Sequence, residues 1–130
     1  MRENILIKHL NNIILENSKI KDAFIMGVDG LLIAAIDNNE DRQRIAARMA
    51  GVLATSRRIE DRMPYATSVI IKKKNIVAIP MSEKFVMIIV GTKSLNLMSI
   101  LRLVNKNKEN IISVIEKNEF SDIFSYNPVE

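Results

Sequence analysis

The chain has 130 residues, of which 48% are apolar and 26% charged, a composition typical of a single soluble globular domain with a buried core. It contains no cysteine, which excludes disulfides, thiolate zinc sites and cysteine nucleophiles. The net charge of +4 is modest, and no aromatic residue is interleaved with the lysines at 72–74, so the composition disfavours nucleic-acid binding.

The hydropathy pattern disfavours a membrane protein. No apolar run approaches the roughly 20 residues that a membrane-spanning helix needs. The N-terminal apolar residues are interrupted by Lys8, His9, Asn11 and Asn12, so the continuous apolar core of a secretion signal is missing. We therefore expect a cytoplasmic protein with no membrane segment and no membrane among its partners.

The first elements are an amphipathic helix and a β-hairpin. Residues 3–17 carry apolar side chains at helical spacing, which predicts a helix on an apolar surface. Two apolar runs, 23–28 and 31–36, flank Asp29-Gly30, the strongest short-range signal for a hairpin with a type I′ turn. Neither run alternates polar with apolar residues, which indicates strands that are covered on both faces.

Residues 38–63 form the longest helical pattern, with Asn38 as the predicted N-cap and Pro64 ending the helix. Its core-facing stripe consists of Ile45, Met49, Val52, Leu53, Ser56 and Ile59. A second stripe of small residues consists of Ala46, Ala47, Ala50, Gly51 and Ala54. Small side chains let another backbone approach closely, and this stripe fits either the protein's own sheet or a helix of a second chain.

Arginines are concentrated on the same helix, because six of the eight in the chain lie between positions 42 and 62. Acidic neighbours such as Glu40 and Glu60 partly offset them, and a charged helix face is ordinarily a solvated one. The planar guanidinium is nevertheless the side chain best suited to bidentate binding of carboxylates. This helix is therefore the candidate interaction surface.

Three strands and a helix follow. The half-polar run 67–72 suits an edge strand, the run 76–79 a second strand, and the strongly apolar run 85–90 a central strand. Ser94 is the predicted cap of a helix from 95 to about 117. The tail, 118–130, carries Phe120, Phe124 and Tyr126, and a free polar tail would not hold three aromatics, so we expect it to dock on this domain or on a partner.

The sequence offers no positive evidence for an enzyme. Residues 91–94 (GTKS) resemble the end of a phosphate-binding loop, but the upstream glycine is missing and Thr92 separates Gly91 from Lys93. His9 is the only histidine, so neither a metal site nor a catalytic triad is indicated. We expect no cofactor.

These elements fit an α/β (α+β) sandwich in the order α-β-β-α-β-β-β-α. It contains a five-stranded antiparallel sheet with one long helix on one face and two helices on the other. With the hairpin IMGVDGLLIAA, the alanine-rich helix RIAARMAGVLATSRRIEDRM and the strands TSVIIKKKNIVAIPMSEKFVMIIVG, the chain resembles the roadblock/dynein light chain family. The type it resembles is the prokaryotic one that regulates small Ras-like GTPases, and the resemblance covers a roadblock-like domain at 1–117.

The resemblance implies a homodimer in which the third strands pair and the second helices pack together. The half-polar edge strand and the small-residue stripe agree with that arrangement. The implied dimer contacts are Ala47, Gly51, Ala54, Thr67, Val69 and Ile71. The paired helices would present Arg44, Arg48, Arg58 and Arg62 to a small Ras-like GTPase, with no catalytic residue from this chain. Two alternatives stay open: a structural adaptor without a GTPase link, and a small-ligand sensor.

Overall fold

The computed structural model describes the backbone of residues 2–37 and 39–125 and the side chains of residues 5–37 and 39–117. Within these residues, three helices and five strands follow one another in the predicted order. They are α1 (Arg2–Glu16), β1 (Ile20–Gly27), β2 (Leu32–Ala34), α2 (Glu40–Arg57), β3 (Thr67–Ile71), β4 (Lys74–Pro80), β5 (Phe85–Thr92) and α3 (Leu97–Ser125). None of the helices in this part of the chain combines the length and apolarity that crossing a bilayer requires.

The strands form one antiparallel sheet in the order β2-β1-β5-β4-β3. The most apolar strand, β5, lies at the centre, as predicted, and all its residues from Phe85 to Gly91 are buried. The half-polar strand β3 lies at one edge, also as predicted, and the short strand β2 lies at the other. The sheet therefore ends in two edges of very different lengths.

Successive side chains of each strand point to opposite faces of the sheet, so the buried residues form two cores. Phe85, Met87 and Ile89 of β5 pack with α1 and α3 on one face of the sheet. Val86 and Ile88 pack under α2 on the other face. The predicted layering, with one helix against two, is confirmed.

The β1–β2 hairpin does not have the predicted type I′ turn. Gly27 and Gly30 close a turn over Val28 and Asp29, since the Gly30 N–H donates to the Gly27 carbonyl at 2.9 Å. Only Gly30 has a positive φ, 89°. This is the three-residue connection in which a glycine in the left-handed region follows a tight turn, so Asp29 needs no strained backbone. The Asp29 carboxylate instead accepts the Leu31 N–H at 3.1 Å.

Helix α2 is shorter than the sequence pattern predicts. Asn39, not Asn38, caps it, because its side-chain oxygen accepts the Arg42 N–H at 2.8 Å. The helix ends at Arg57, and a turn with Asp61 in the left-handed region (φ 54°) leads to Pro64. Ile59 therefore leaves the predicted core stripe and is 78% exposed.

The later boundaries also shift. The β3–β4 turn consists of Lys72 and Lys73, with Lys72 in the left-handed region at φ 55°, so Lys74 already belongs to β4. Asn96, not Ser94, caps α3, because its side chain accepts the Ser99 N–H at 3.0 Å. The α3 backbone continues past residue 117 to Ser125, which makes α3 the longest helix described. The predicted docking of Phe120, Phe124 and Tyr126 falls on side chains outside the described residues.

Candidate functional site

Helix α2 is held on the sheet by a partly buried ion pair. The Arg42 guanidinium binds the Asp22 carboxylate of β1 through Nε at 2.8 Å and Nη2 at 3.0 Å, and Nη1 binds Asp37 before the helix. The side chains of Arg42 and Asp22 are only 14% and 20% exposed. Hydrogen bonding by Asp22 raises the pKa of Arg42, against an opposing effect of burial. Sequence reasoning grouped Arg42 with the surface arginines; the one available signal was an aspartate at position 22 beside an apolar strand.

One flank of α2 faces the β1–β2 hairpin. A Cβ added at Gly30 would lie 3.1 Å from both Ala47 Cα and Ala50 Cβ, so the turn packs closely on the helix. Further along the same flank, an open groove of about 500 Å³ is lined by Val28, Ala50, Ala54 and other residues. The small side chains of Ala47 and Ala50 therefore allow the chain's own hairpin to pack closely on α2.

The opposite flank of α2 faces the β3 edge. At 100° per residue, Arg48, Val52 and Ser56 follow one another on this side. Here an open groove of about 750 Å³ separates the end of the helix from the start of β3, with Ser56 on one wall and Thr67 on the other. Tyr65, which is 91% exposed, also lines this groove. Val52 and Val69 of β3 both pack on the core beneath α2.

Between the two flanks runs an outward-facing row, which we call the crest, formed by Arg44, Gly51, Thr55 and Arg58. All four residues are exposed, and a Cβ added at Gly51 would meet no atom within 4 Å. Ala46, Met49 and Leu53 are buried on the sheet, on the other side of the helix. The crest is therefore an open surface with a shallow centre and arginines towards both ends.

The four predicted partner-binding arginines are exposed, but they do not share one helix face. Arg44 forms an exposed ion pair with Asp41 at 3.0 Å. Among the described side chains, neither Arg48 nor Arg58 has a carboxylate partner. Arg62 lies beyond the end of α2, in the turn that lines the groove at β3. The prediction that Arg62 stands on the helix is wrong, because the helix ends five residues earlier, at Arg57.

The outer edge of β3 is not paired within the described chain. Cross-strand register places Thr67, Val69 and Ile71 on the α2 face, opposite Ala78, Ile76 and Lys74. Ile70 points to the other face, and Ile70 and Ile71 are 61% and 54% exposed. The predicted strand contacts thus share a face with α2. Ala47 and Ala54, by contrast, lie on the flank that faces away from β3.

The described residues contain no cluster of three or more His, Asp or Glu side chains that could hold a metal ion. At residues 91–94, the Thr92 and Ser94 hydroxyls bond to each other at 3.0 Å, and the following helix is capped by Asn96. This segment is accordingly a capped strand-to-helix connection.

The sequence matches no protein-family model and no curated protein. Solved structures do match. A Roadblock/LC7 domain from Streptomyces avermitilis superposes with a TM-score of 0.74 at 10% identity, over 84% of this chain and 96% of that one. The gliding protein MglB from Thermus thermophilus gives 0.74 at 12% identity, over 89% and 92% of the two chains. A structure of MglB in a tetrameric arrangement gives 0.76 at 11% identity, over 89% and 91%.

The chain has the roadblock/LC7 fold. The resemblance drawn from the hairpin, the alanine-rich helix and the last three strands is confirmed at the level of the fold. In this roadblock fold, the crest of α2 and the outer edge of β3 are the two exposed features that the sequence singled out.

Proposed function

We propose that this chain is a non-enzymatic binding module that pairs with a second copy through β3 and presents its α2 helices to a small Ras-like GTPase. The proposal rests on the unpaired edge of β3. The backbone N–H and C=O groups of this edge can form hydrogen bonds with another strand, and isoleucines are exposed on both faces of β3. The shared fold with MglB supports the same choice, because the regulators that the sequence resembles have this architecture.

In the proposed dimer, β3 pairs antiparallel with its own copy. Two identical antiparallel strands are related by a twofold axis perpendicular to the sheet, so both α2 helices lie on the same face of the joined sheet. An axis near the middle of β3 would bring Val69 close to its symmetry mate and Ile71 close to Thr67 of the second copy. The exposed surface of Ile70 and Ile71 would then be covered.

The same symmetry determines which side of α2 meets the second helix. The flank with Arg48 and Val52 faces β3, so these residues would contact the partner's α2 across the twofold axis. Ala47 and Ala54 face the hairpin instead. Their predicted role in the dimer remains untested, and the position of the hairpin favours Val52 for this contact.

The crest would remain open in such a dimer and would form a platform of two helices. Arg44 and Arg58 lie near its ends, and the lack of a side chain at Gly51 lets a partner backbone approach. Exposed guanidinium groups suit acidic side chains on a bound protein, and among the described side chains Arg58 has no carboxylate partner, whereas Arg44 has an exposed one in Asp41. A regulator that reshapes the GTPase's own switch segments needs no catalytic group of its own, and we propose none in this chain.

Dimer formation is tested by the variant Ile71→Lys. Ile71 is half exposed, so the lysine disturbs the monomer little but places charge in the proposed strand contact. Leu31→Lys is the matched control, because Leu31 is also exposed but lies on the β1–β2 hairpin. We expect light scattering to give twice 14.8 kDa for the parent and the control, and about 14.8 kDa for Ile71→Lys. A monomeric parent protein would refute the proposed pairing.

Partner binding is tested with purified small Ras-like GTPases from the same organism. We expect Arg44→Glu with Arg58→Glu, both on the crest, to lower affinity by at least about tenfold while the dimer persists, since each reversal replaces an attraction with a repulsion of similar size. The control is Lys8→Glu with Arg102→Glu, an equal charge change on α1 and α3. GTP hydrolysis is followed in parallel: binding without a change in rate would indicate a scaffold, and no binding to any of them would favour the adaptor without a GTPase link.

A further inference from the structure

One end of the sheet gathers six lysines from three separate stretches of the chain. They are Lys19, Lys21, Lys72, Lys73, Lys74 and Lys93, and we call this surface the basic end. Backbone contacts bring the stretches together, because the Thr92 N–H donates to the Lys19 carbonyl and the Lys93 N–H to the Lys73 carbonyl, both at 3.0 Å. Lys74 pairs with Thr92 in the sheet.

The positive charge of the basic end is not neutralised by neighbouring side chains. All six lysines are exposed, and none forms an ion pair with any described carboxylate. The carboxylates nearest in sequence to Lys19 and Lys21 are engaged elsewhere, Glu16 with Lys106 and Asp22 with Arg42. Without the six lysines the chain would have 13 basic and 15 acidic residues, so the net positive charge of the protein resides here.

Two exposed apolar side chains lie on the helical turns next to the basic end. Leu15, in the last turn of α1, is 82% exposed, and Met98, in the first turn of α3, is 58% exposed. Both turns adjoin the loops that carry Lys19 and Lys93. Exposed apolar side chains beside lysines are the combination that partitions into the headgroup region of a bilayer.

The residue types distinguish between the possible anionic partners. A nucleic-acid surface uses aromatic side chains or arginines on which bases stack, and the basic end has neither. An acidic protein is best bound by the planar fork of arginine, whereas lysine acts as a compact point charge. Clusters of four to eight basic residues are typical of surfaces that bind anionic phospholipids.

We propose that the basic end binds the surface of a membrane containing anionic phospholipids. Such a peripheral contact needs no membrane-spanning helix, and it uses neither the crest of α2 nor the β3 edge. Its failure would therefore leave the proposed partner binding untouched, and the reverse also holds.

The test is co-sedimentation of the full-length protein with vesicles. One set is phosphatidylcholine alone, and the other contains about one third phosphatidylglycerol. We expect binding only to the anionic set, with loss at about 1 M salt, where the Debye length falls to about 3 Å. Lys73→Gln, Lys74→Gln and Lys93→Gln together should weaken binding about 100-fold, since each lysine near such a surface contributes about fivefold.

The matched control removes three exposed lysines elsewhere, Lys8→Gln, Lys84→Gln and Lys117→Gln. It has the same net charge and should lose no more than the roughly fivefold effect of a single lysine. Thermal unfolding of both triple variants verifies that they are folded. Equal loss in the two variants, or equal binding to neutral vesicles, would overturn the proposal. Binding of a fluorescent single-stranded RNA without vesicle binding would overturn it as well and assign the surface to nucleic acid.

Discussion

Replacement of Arg42 tests whether the ion pair with Asp22 anchors α2. Arg42→Met keeps the aliphatic stem but removes three hydrogen bonds to carboxylates and a fourth to the Asp37 carbonyl. It leaves Asp22 in a site where its side chain is only 20% exposed. Breaking a fully buried pair costs about 3–5 kcal/mol, and partial access to water lowers that figure here to about 2–3 kcal/mol. Arg44→Met is the matched control: it removes an exposed ion pair from the same helix, two residues further on, with an expected loss below about 1 kcal/mol.

The assay is urea unfolding followed by circular dichroism, with all variants at one protein concentration because self-association would shift the midpoint. Asp22→Asn and the double variant complete a cycle, for which we expect a coupling free energy of about 1.5–3 kcal/mol. Salt should reduce the loss in Arg44→Met but leave most of the loss in Arg42→Met. If Arg42→Met loses no more stability than Arg44→Met, the pair does not anchor the helix.

Three further substitutions test the geometry around α2 by the same unfolding assay. Gly51→Ala should raise the free energy of unfolding by about 0.5–1 kcal/mol, because alanine favours a helix over glycine and the added methyl group meets no atom within 4 Å. A lower free energy of unfolding would show that other atoms already pack against Gly51. Gly30→Ala should lower it by more than about 1 kcal/mol, since φ is 89° and the added Cβ lies 3.1 Å from Ala47. Leu53→Ala should lower the free energy of unfolding by about 2–5 kcal/mol, because Leu53 is only 3% exposed. Ile59→Ala should lower it by less than about 0.5 kcal/mol, because Ile59 is 78% exposed. Similar losses in the two variants would mean that the helix continues past Arg57 and buries Ile59.

The order of the elements was predictable because it depends on periodicity and apolarity, which are local. The run at 85–90 is apolar on both faces, which is typical of a central strand, and the half-polar run that begins at Thr67 suits an edge strand; the sheet order confirms both predictions. The ends of elements were less predictable, since neighbouring residues compete for the same role. Asn38 and Asn39 are equally good caps by type, as are Ser94 and Asn96, and the choice depends on how the chain enters each helix.

The end of α2 was mispredicted for a different reason. Between Arg57 and Pro64 the sequence contains no residue that breaks a helix, so the apolar pattern continues to Ile59. The chain must nevertheless reverse direction to reach the β3 edge, and the turn at Asp61 accomplishes this at the expense of the last helical turns. A tertiary requirement overrides local propensity here, and Ile59 and Arg62 move from the helix to the rim of a groove.

A helical-wheel projection of α2 predicts only part of the candidate site. The wheel correctly separates the buried side of α2 from its exposed side, but it does not say which flank meets the hairpin and which meets β3. That depends on the contact of Gly30 with Ala47 and Ala50, between segments about twenty residues apart in sequence. Within the small-residue stripe, Ala47 and Ala50 thus contact the chain's own hairpin, whereas Gly51 is exposed.

The basic end also depends on contacts between segments that are far apart in sequence. In the sequence, Lys93 is isolated, Lys19 and Lys21 are separated only by Ile20, and only Lys72–Lys74 forms a run. Sheet order brings them together, because β5 lies between β1 and β4 and the ends of these strands meet. Mutual repulsion among exposed lysines opposes this gathering, and no described carboxylate relieves it within the chain. The fold tolerates that repulsion because it is small in water, whereas an anionic surface in contact with the strand ends would turn each of these charges into a favourable interaction.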